Sequence, residues 1–193
     1  MKKLKVVGIN GSARKDGNTA IIIKTVFEEL KKAEIETELI QLYDKEIIPC
    51  KGCFACTQKK ECVIKSDHFN ECFKKLVEAD GIILGSPVYS ADISSKMKAF
   101  LERAGVIVAT NPGMLKHKVG ASIAAVRRGG GLAAVGTMNH FLLNKEVIVV
   151  GSTYWNMVYG KNVGDVLNDE EGINNMKNLG QNMAWLIRKL ADN

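Results

Sequence analysis

The chain has 193 residues, 46% apolar and 25% charged, enough to bury a core without disulfides or a structural metal, and no low-complexity run argues for disorder. Lysine and arginine (27) outnumber aspartate and glutamate (21), giving a net charge of +6. The lysines are scattered and aromatics make up only 6%, which argues against nucleic acid and leaves a lysine-rich surface or attraction to anionic cofactors and acidic partners.

The basic start, Met1-Lys2-Lys3, is followed by an apolar stretch too short and too interrupted by Lys5 for a signal peptide, so 4–10 reads as a strand. Apolar residues at Ile22, Ile23, Val26, Phe27 and Leu30 give helical spacing over 18–33. Alternation over 35–41 predicts a second strand, and 42–65 is irregular and rich in cysteine. A helix over 69–79 leads to a buried strand at 81–85, and a helix over 94–109 leads to a strand at 118–126. A helix over about 132–143, a fifth strand at 146–150 and a last helix over about 174–190 complete the chain.

Short apolar strands alternating with helices predict an α/β class: a doubly wound parallel sheet with helices on both faces. Five strands suit the order 2-1-3-4-5, in a single domain over 1–193. No segment reaches the roughly 20 apolar residues of a membrane span. A cytoplasmic protein is therefore expected, in which clustered thiols stay reduced and suggest metal or redox chemistry.

Ligands of such sheets bind outside the carboxyl ends of the strands. The first such loop, Asn10-Gly11-Ser12-Ala13-Arg14-Lys15-Asp16-Gly17-Asn18-Thr19, runs directly into a helix. A phosphate there meets free backbone N–H groups and the positive end of the helix dipole. Ser12 and Thr19 offer hydroxyls, Arg14 a charge-assisted donor, and Asn18 is expected to cap the helix or shape the loop. The loop is neither a Walker A sequence nor G-x-G-x-x-G.

This loop resembles that of the NADPH-dependent FMN reductase family, of the flavodoxin-like superfamily. There a Gly-Ser-x-Arg-x-x-Gly-Asn-Thr loop holds the FMN phosphate, which implies the same role for Ser12, Arg14, Gly17, Asn18 and Thr19. Ala13 stands where members often have proline. The run from Gly85 to Arg103 resembles the same family, which places the flavin ring against Ser86-Pro87-Val88-Tyr89-Ser90. Pro87 sets the chain direction, and Val88 and Tyr89 are suited to wall a planar ring. After the fourth strand, Arg127-Arg128-Gly129-Gly130-Gly131 permits close backbone approach. Gly129 and Gly130 are carried over as ring contacts, while either arginine has the flavin, a reductant or solvent to face.

Cys50-x2-Cys53-x2-Cys56-x5-Cys62 puts four soft ligands within thirteen residues, in the loop at about 43–65. Its first three follow the C-x2-C-x2-C spacing of [4Fe–4S] runs, and zinc, which favours two separated C-x2-C knuckles, is served less well. Free or redox thiols are the remaining reading. Cys72 is expected to be a small buried residue. The pattern resembles the iron–sulfur flavoproteins, a branch of the same family, which implies FMN, one [4Fe–4S] cluster, ferredoxin as partner and a homo-oligomer, dimer or tetramer.

No Ser/His/Asp or Cys/His/Asn set is present, and His68, His117 and His140 have no ligand spacing. The chemistry is expected to lie in the cofactors. Electron transfer between cluster, FMN and ferredoxin is the leading expectation. An NAD(P)H-dependent flavin or quinone reductase without a cluster is the second, and a non-enzymatic flavin electron carrier the third.

Overall fold

The computed structural model describes residues 3–192. Its sheet is built on β1 (Lys5–Asn10), β2 (Glu36–Gln41), β3 (Gly81–Pro87) and β4 (Val119–Val126). All neighbours are parallel, in the order β2-β1-β3-β4-β5, where β5 is Ile148–Val149. Every residue of β4 is buried, as befits a strand covered on both faces.

Alternation along the strands divides two cores. Val6, Ile83 and Ile123 face α1 (Asn18–Lys32) and α5 (Glu170–Ala191), where they meet Ile22, Val26, Met176 and Met183. Val7, Ile9, Leu84 and Ala124 face α2 (Phe69–Glu78), α3 (Ser95–Thr110) and α4 (Gly131–Asn144). The large apolar side chains Ile22, Ile23, Val26, Phe27 and Leu30 of α1 are fully or almost fully buried, each contributing about 1.5–3 kcal/mol. α1 also sits close to the sheet. A Cβ at Gly85 would lie 2.7 Å from Ile23 Cδ1 and 3.2 Å from Thr19 Cγ2, so a side chain there would push the start of the helix off the strand.

The fifth position of the sheet differs from expectation. β5 is only Ile148–Val149, paired with Val119 and Gly120. Further along β4 its place is taken by β6 (Met157–Tyr159), paired with Ala124, Ala125 and Val126. Between them the chain leaves the sheet and is held by buried Asn175. The Asn175 carboxamide accepts from Tyr154 N at 3.0 Å and donates to Trp155 O at 2.7 Å. The last helix also starts earlier than its apolar periodicity, because the Asp169 side chain caps it by accepting from Gly172 N at 3.0 Å.

Among the described residues, no helix is long and apolar enough to cross a membrane.

Candidate functional site: a phosphate-type cleft and a four-cysteine loop

The carboxyl ends of β1, β3 and β4 converge on one edge, and their loops interlock. Gly11 N donates to Gly85 O at 2.8 Å. The Ser94 hydroxyl donates to Gly11 O at 2.6 Å while accepting from Met97 N to cap α3. Val88 N donates to Ala125 O at 3.2 Å. Gly130, with φ +83°, lies so close to the second loop that a Cβ would stand 2.8 Å from Val88 Cγ1 and 3.1 Å from Ala91 O. Tyr89 and Asp92 exchange backbone hydrogen bonds around Ser90 and Ala91, both at positive φ (48° and 65°), as in a type I′ turn.

The interlocked loops leave a cleft of about 440 Å³, lined among others by Ser12, Arg14, Thr19, Val88, Tyr89 and Arg127. At its phosphate end, Ser12 N donates to Asn10 Oδ1 and Ser12 Oγ accepts from Arg14 N at 3.0 Å, winding the loop back on itself. α1 begins behind extended Gly17 with no side-chain cap, so Asn18 is not the cap. The first intrahelical bond is Ile21 N to Gly17 O, and the Asn18, Thr19 and Ala20 amides precede it. Thr19 is 1% exposed and its hydroxyl has no partner. A buried orphan hydroxyl at an uncapped helix start, beside Ser12 and Arg14, fits an anion with several oxygen acceptors. A phosphate monoester such as that of FMN meets this requirement.

Asn18 serves a different purpose. Its amide donates to Asn162 O at 2.8 Å and Gly160 O at 3.3 Å, and its Oδ1 accepts from Gly164 N at 2.8 Å. The clamp brings Gly160, Lys161 and Asn162 into the cleft wall. Asp165 fixes the same loop by accepting from Asn162 N at 2.7 Å. Arg14, Arg127 and Lys161 all reach the cleft and form no ion pair among the described residues, so the cavity is cationic.

Of the sequence-predicted cofactor residues, Ser12, Arg14, Asn18, Thr19, Pro87, Val88 and Tyr89 line the cleft. Gly17 lies directly behind the helix start. Ser86 is buried away from it; its hydroxyl donates to Pro87 O and accepts from Ser94 N, which holds the second loop to α3. Ser90 is exposed in the turn, while Gly129 and Gly130 fall outside the cleft lining. Sequence reasoning did not anticipate 160–162. The Gly/Asn/Asp content of 160–165 marks a turn, but only the contact from Asn18 makes it part of the site.

The cysteine loop packs against α3 on the other face of the sheet from α1. Cys50, Cys53, Cys56 and Cys62 line one cavity of about 20 Å³, together with Val106 and Ile107. Cys53 is exposed, Cys50 half-buried, and Cys56 and Cys62 buried. Positive φ at Gly52, Phe54, Gln58 and Lys60 winds the loop tightly. Among the described residues, no three histidine, cysteine or acidic side chains stand at metal-holding distance. The agreement with an iron–sulfur centre is in donor type and shared cavity: four thiols and an apolar wall.

Strong ties hold the loop. The Lys96 ammonium donates to Leu42, Tyr43 and Lys45 carbonyls at 2.8, 2.7 and 3.0 Å. Asn70 accepts from Cys62 N at 2.8 Å and donates to Cys62 O, and Asn111 donates to Cys56 O at 3.1 Å. Buried Arg103 pairs with buried Asp67 beneath it. Cys72 is 1% exposed and outside this cavity, its thiol pushed up to about 11, chiefly by burial.

Comparison with known proteins gives the family. Residues 4–162 match the family model for NADPH-dependent FMN reductase. An iron–sulfur flavoprotein of Methanocaldococcus jannaschii is 38% identical over 192 residues, covering 96% of this chain and 98% of the relative. One from Archaeoglobus fulgidus is 31% identical, with the same two coverages. Among solved structures, RosB with a bound riboflavin-phosphate intermediate superposes with a TM-score of 0.78 at 19% identity, over 98% of this chain and 81% of that one. An archaeal flavodoxin superposes with a TM-score of 0.64 at 17% identity, over 96% and 99%. The parallel sheet thus has the flavodoxin-like fold, and the chain belongs to the NADPH-dependent FMN reductase family, in its iron–sulfur flavoprotein branch, as an FMN-dependent redox protein.

Proposed function

We propose that this FMN-dependent oxidoreductase carries a [4Fe–4S] cluster on Cys50, Cys53, Cys56 and Cys62 and moves electrons between that cluster, FMN and an external partner such as ferredoxin. The observation that carries the reading is that all four thiols of the C-x2-C-x2-C-x5-C segment line one cavity against α3. Bound together, the two groups join one-electron exchange at iron and sulfur to the two-electron capacity of a flavin.

The chain's own part is positional. Ser12, Arg14 and Thr19 seat the phosphate, and Pro87, Val88 and Tyr89 provide the wall for the ring. α3 runs from one centre to the other: Ser94 caps it beside Gly11, while Arg103, Val106 and Ile107 line the cysteine cavity. Lys96 anchors the entry to the cysteine loop from the same helix.

Mixing reduced ferredoxin with the anaerobic protein in a stopped-flow spectrometer tests the partner. Rapid flavin bleaching is expected. Bleaching by NADPH but not by ferredoxin would overturn this version in favour of direct hydride delivery. That second reading draws on the cations Arg127 and Lys161 at the cleft, which suit the phosphates of a pyridine nucleotide.

A further inference from the structure

Arg103 is only 1% exposed, an expensive place for a guanidinium unless every donor is matched. Nη1 donates to the Asp67 carboxylate and to Ile48 O at 3.2 Å, and Nη2 donates to Ile64 O at 3.3 Å. The guanidinium carbon stands 4.1 Å over the Phe69 ring. Asp67 is itself fixed by the Ile48 amide at 2.8 Å and the Phe69 amide at 3.3 Å. After all this, Nε–H is buried and has no acceptor.

Arg103 lines the cavity of Cys50, Cys53, Cys56 and Cys62, whose remaining wall includes Val106 and Ile107. Sulfur is the only acceptor chemistry that the four cysteine side chains bring to this space. An ionised donor whose Nε–H is unspent, beside four thiols, has the form of a hydrogen-bond donor waiting for an anionic sulfur.

We propose that Arg103 is the hydrogen-bond donor of the iron–sulfur centre, its Nε–H meeting a cysteinyl or bridging sulfur and setting the cluster's reduction potential. The proposal rests on the cluster reading above. Asp67 already offsets the guanidinium charge, so Arg103 acts chiefly through a directed N–H···S bond. Sulfurs accept more strongly when the cluster holds the extra electron, so the bond favours the reduced form and raises the potential. The pair with Asp67 stiffens the donor: a fork held at Nη1 and Nη2 leaves Nε no freedom to turn away.

The test starts by reconstituting the wild-type chain and Arg103→Lys anaerobically with ferrous iron and sulfide, counting iron per chain, then titrating both centres with dithionite. Arg103→Lys keeps a cation for Asp67 and removes Nε–H. The expected result is a more negative cluster midpoint with the FMN midpoint unmoved. An unmoved cluster midpoint in the iron-loaded variant would overturn the inference, because the Nε–H that the variant lacks would then have no effect on the potential. Should the variant fail to fold, wild-type protein labelled with 15N at arginine decides. Pulsed EPR of the reduced cluster is expected to resolve a 15N coupling, and its absence in iron-loaded protein overturns the inference alone. No iron uptake by the wild type would overturn the cluster reading and this inference with it.

Discussion

Asn18 Oδ1 accepts a 2.8 Å hydrogen bond from Gly164 N, across 146 residues of chain. With its donations to the Gly160 and Asn162 carbonyls, this side chain ties the start of α1 to a segment beyond the last strand. Asn18→Ala is expected to free the loop, lowering stability by about 1–3 kcal/mol and weakening FMN about tenfold. Thermal unfolding and flavin-fluorescence titration measure the two effects. Wild-type FMN affinity would show that the 160–164 wall does not support the cofactor.

Thr19 carries a prediction of opposite sign for the two states. Its buried hydroxyl has no partner in the chain, so Thr19→Val is expected to leave the flavin-free protein as stable or slightly more stable. Phosphate binding should lose a hydrogen bond to a charged group, about 1.5–3 kcal/mol, or roughly tenfold to a hundredfold in FMN affinity. Riboflavin, which lacks the phosphate, should bind both proteins equally. Equal loss for both ligands would place Thr19 away from the phosphate.

The Asp67 side chain is fully buried, and its carboxylate is the only one that meets Arg103 among the described residues. Asp67→Ala strands that charge and is expected to cost about 3–5 kcal/mol in chemical denaturation. A loss within about 0.5 kcal/mol, the size typical of surface sites, would contradict the burial described for the pair.

Acid stability follows from Glu29 and Glu38. Hydrogen bonds from Lys32 and Gln181 hold the Glu29 carboxyl below its usual 4.5, against a smaller opposing effect of burial. Hydrogen bonds from Lys5 and Lys75 do the same for Glu38. A depressed folded pKa means that the unfolded chain binds more protons, so this stabilisation is whole above about 4.5 and fades as pH falls through the folded values. Glu38→Gln should lower the melting temperature near neutral pH and flatten its decline in acid. An unchanged acid slope would exclude Glu38 as a source of it.

Cys72 should be the slowest of the five thiols to alkylate in the native metal-free protein, since burial raises it to about 11. Exposed Cys53 should label first. Mass spectrometry after timed iodoacetamide treatment gives the order, and early labelling of Cys72 would contradict its place in the core.

The sequence made the repeating frame legible because each β1–β4 strand and each α1–α4 helix carries its own apolar period. β6 was missed because Met157-Val158-Tyr159 is too short to show a period and becomes a strand only by pairing with Ala124–Val126. The first four residues of α5 were missed because Gly172 interrupts the helical pattern that Asp169 nevertheless caps. In the site, the Ser12-to-Thr19 loop was readable as a local motif. Asn18 was readable as a site residue that caps the helix or shapes the loop, but not as a clamp, because its partners lie in a remote loop. Ser86 and Gly130, read as contacts to the ring, also have packing roles that no spacing reveals: one braces α3 and the other lets α4 approach the second loop. The importance of Arg103 depends on Asp67 and Phe69 closing around it, which no spacing reveals.

The central claim, FMN and an iron–sulfur cluster in one chain, is tested most directly by a UV–visible spectrum of anaerobically purified protein, with iron, sulfide and released FMN assayed on the same sample. Flavin bands over broad iron–sulfur absorption, with about four irons per chain, are the predicted result. Flavin bands with no iron, even after anaerobic reconstitution, would contradict it and leave a plain flavin reductase.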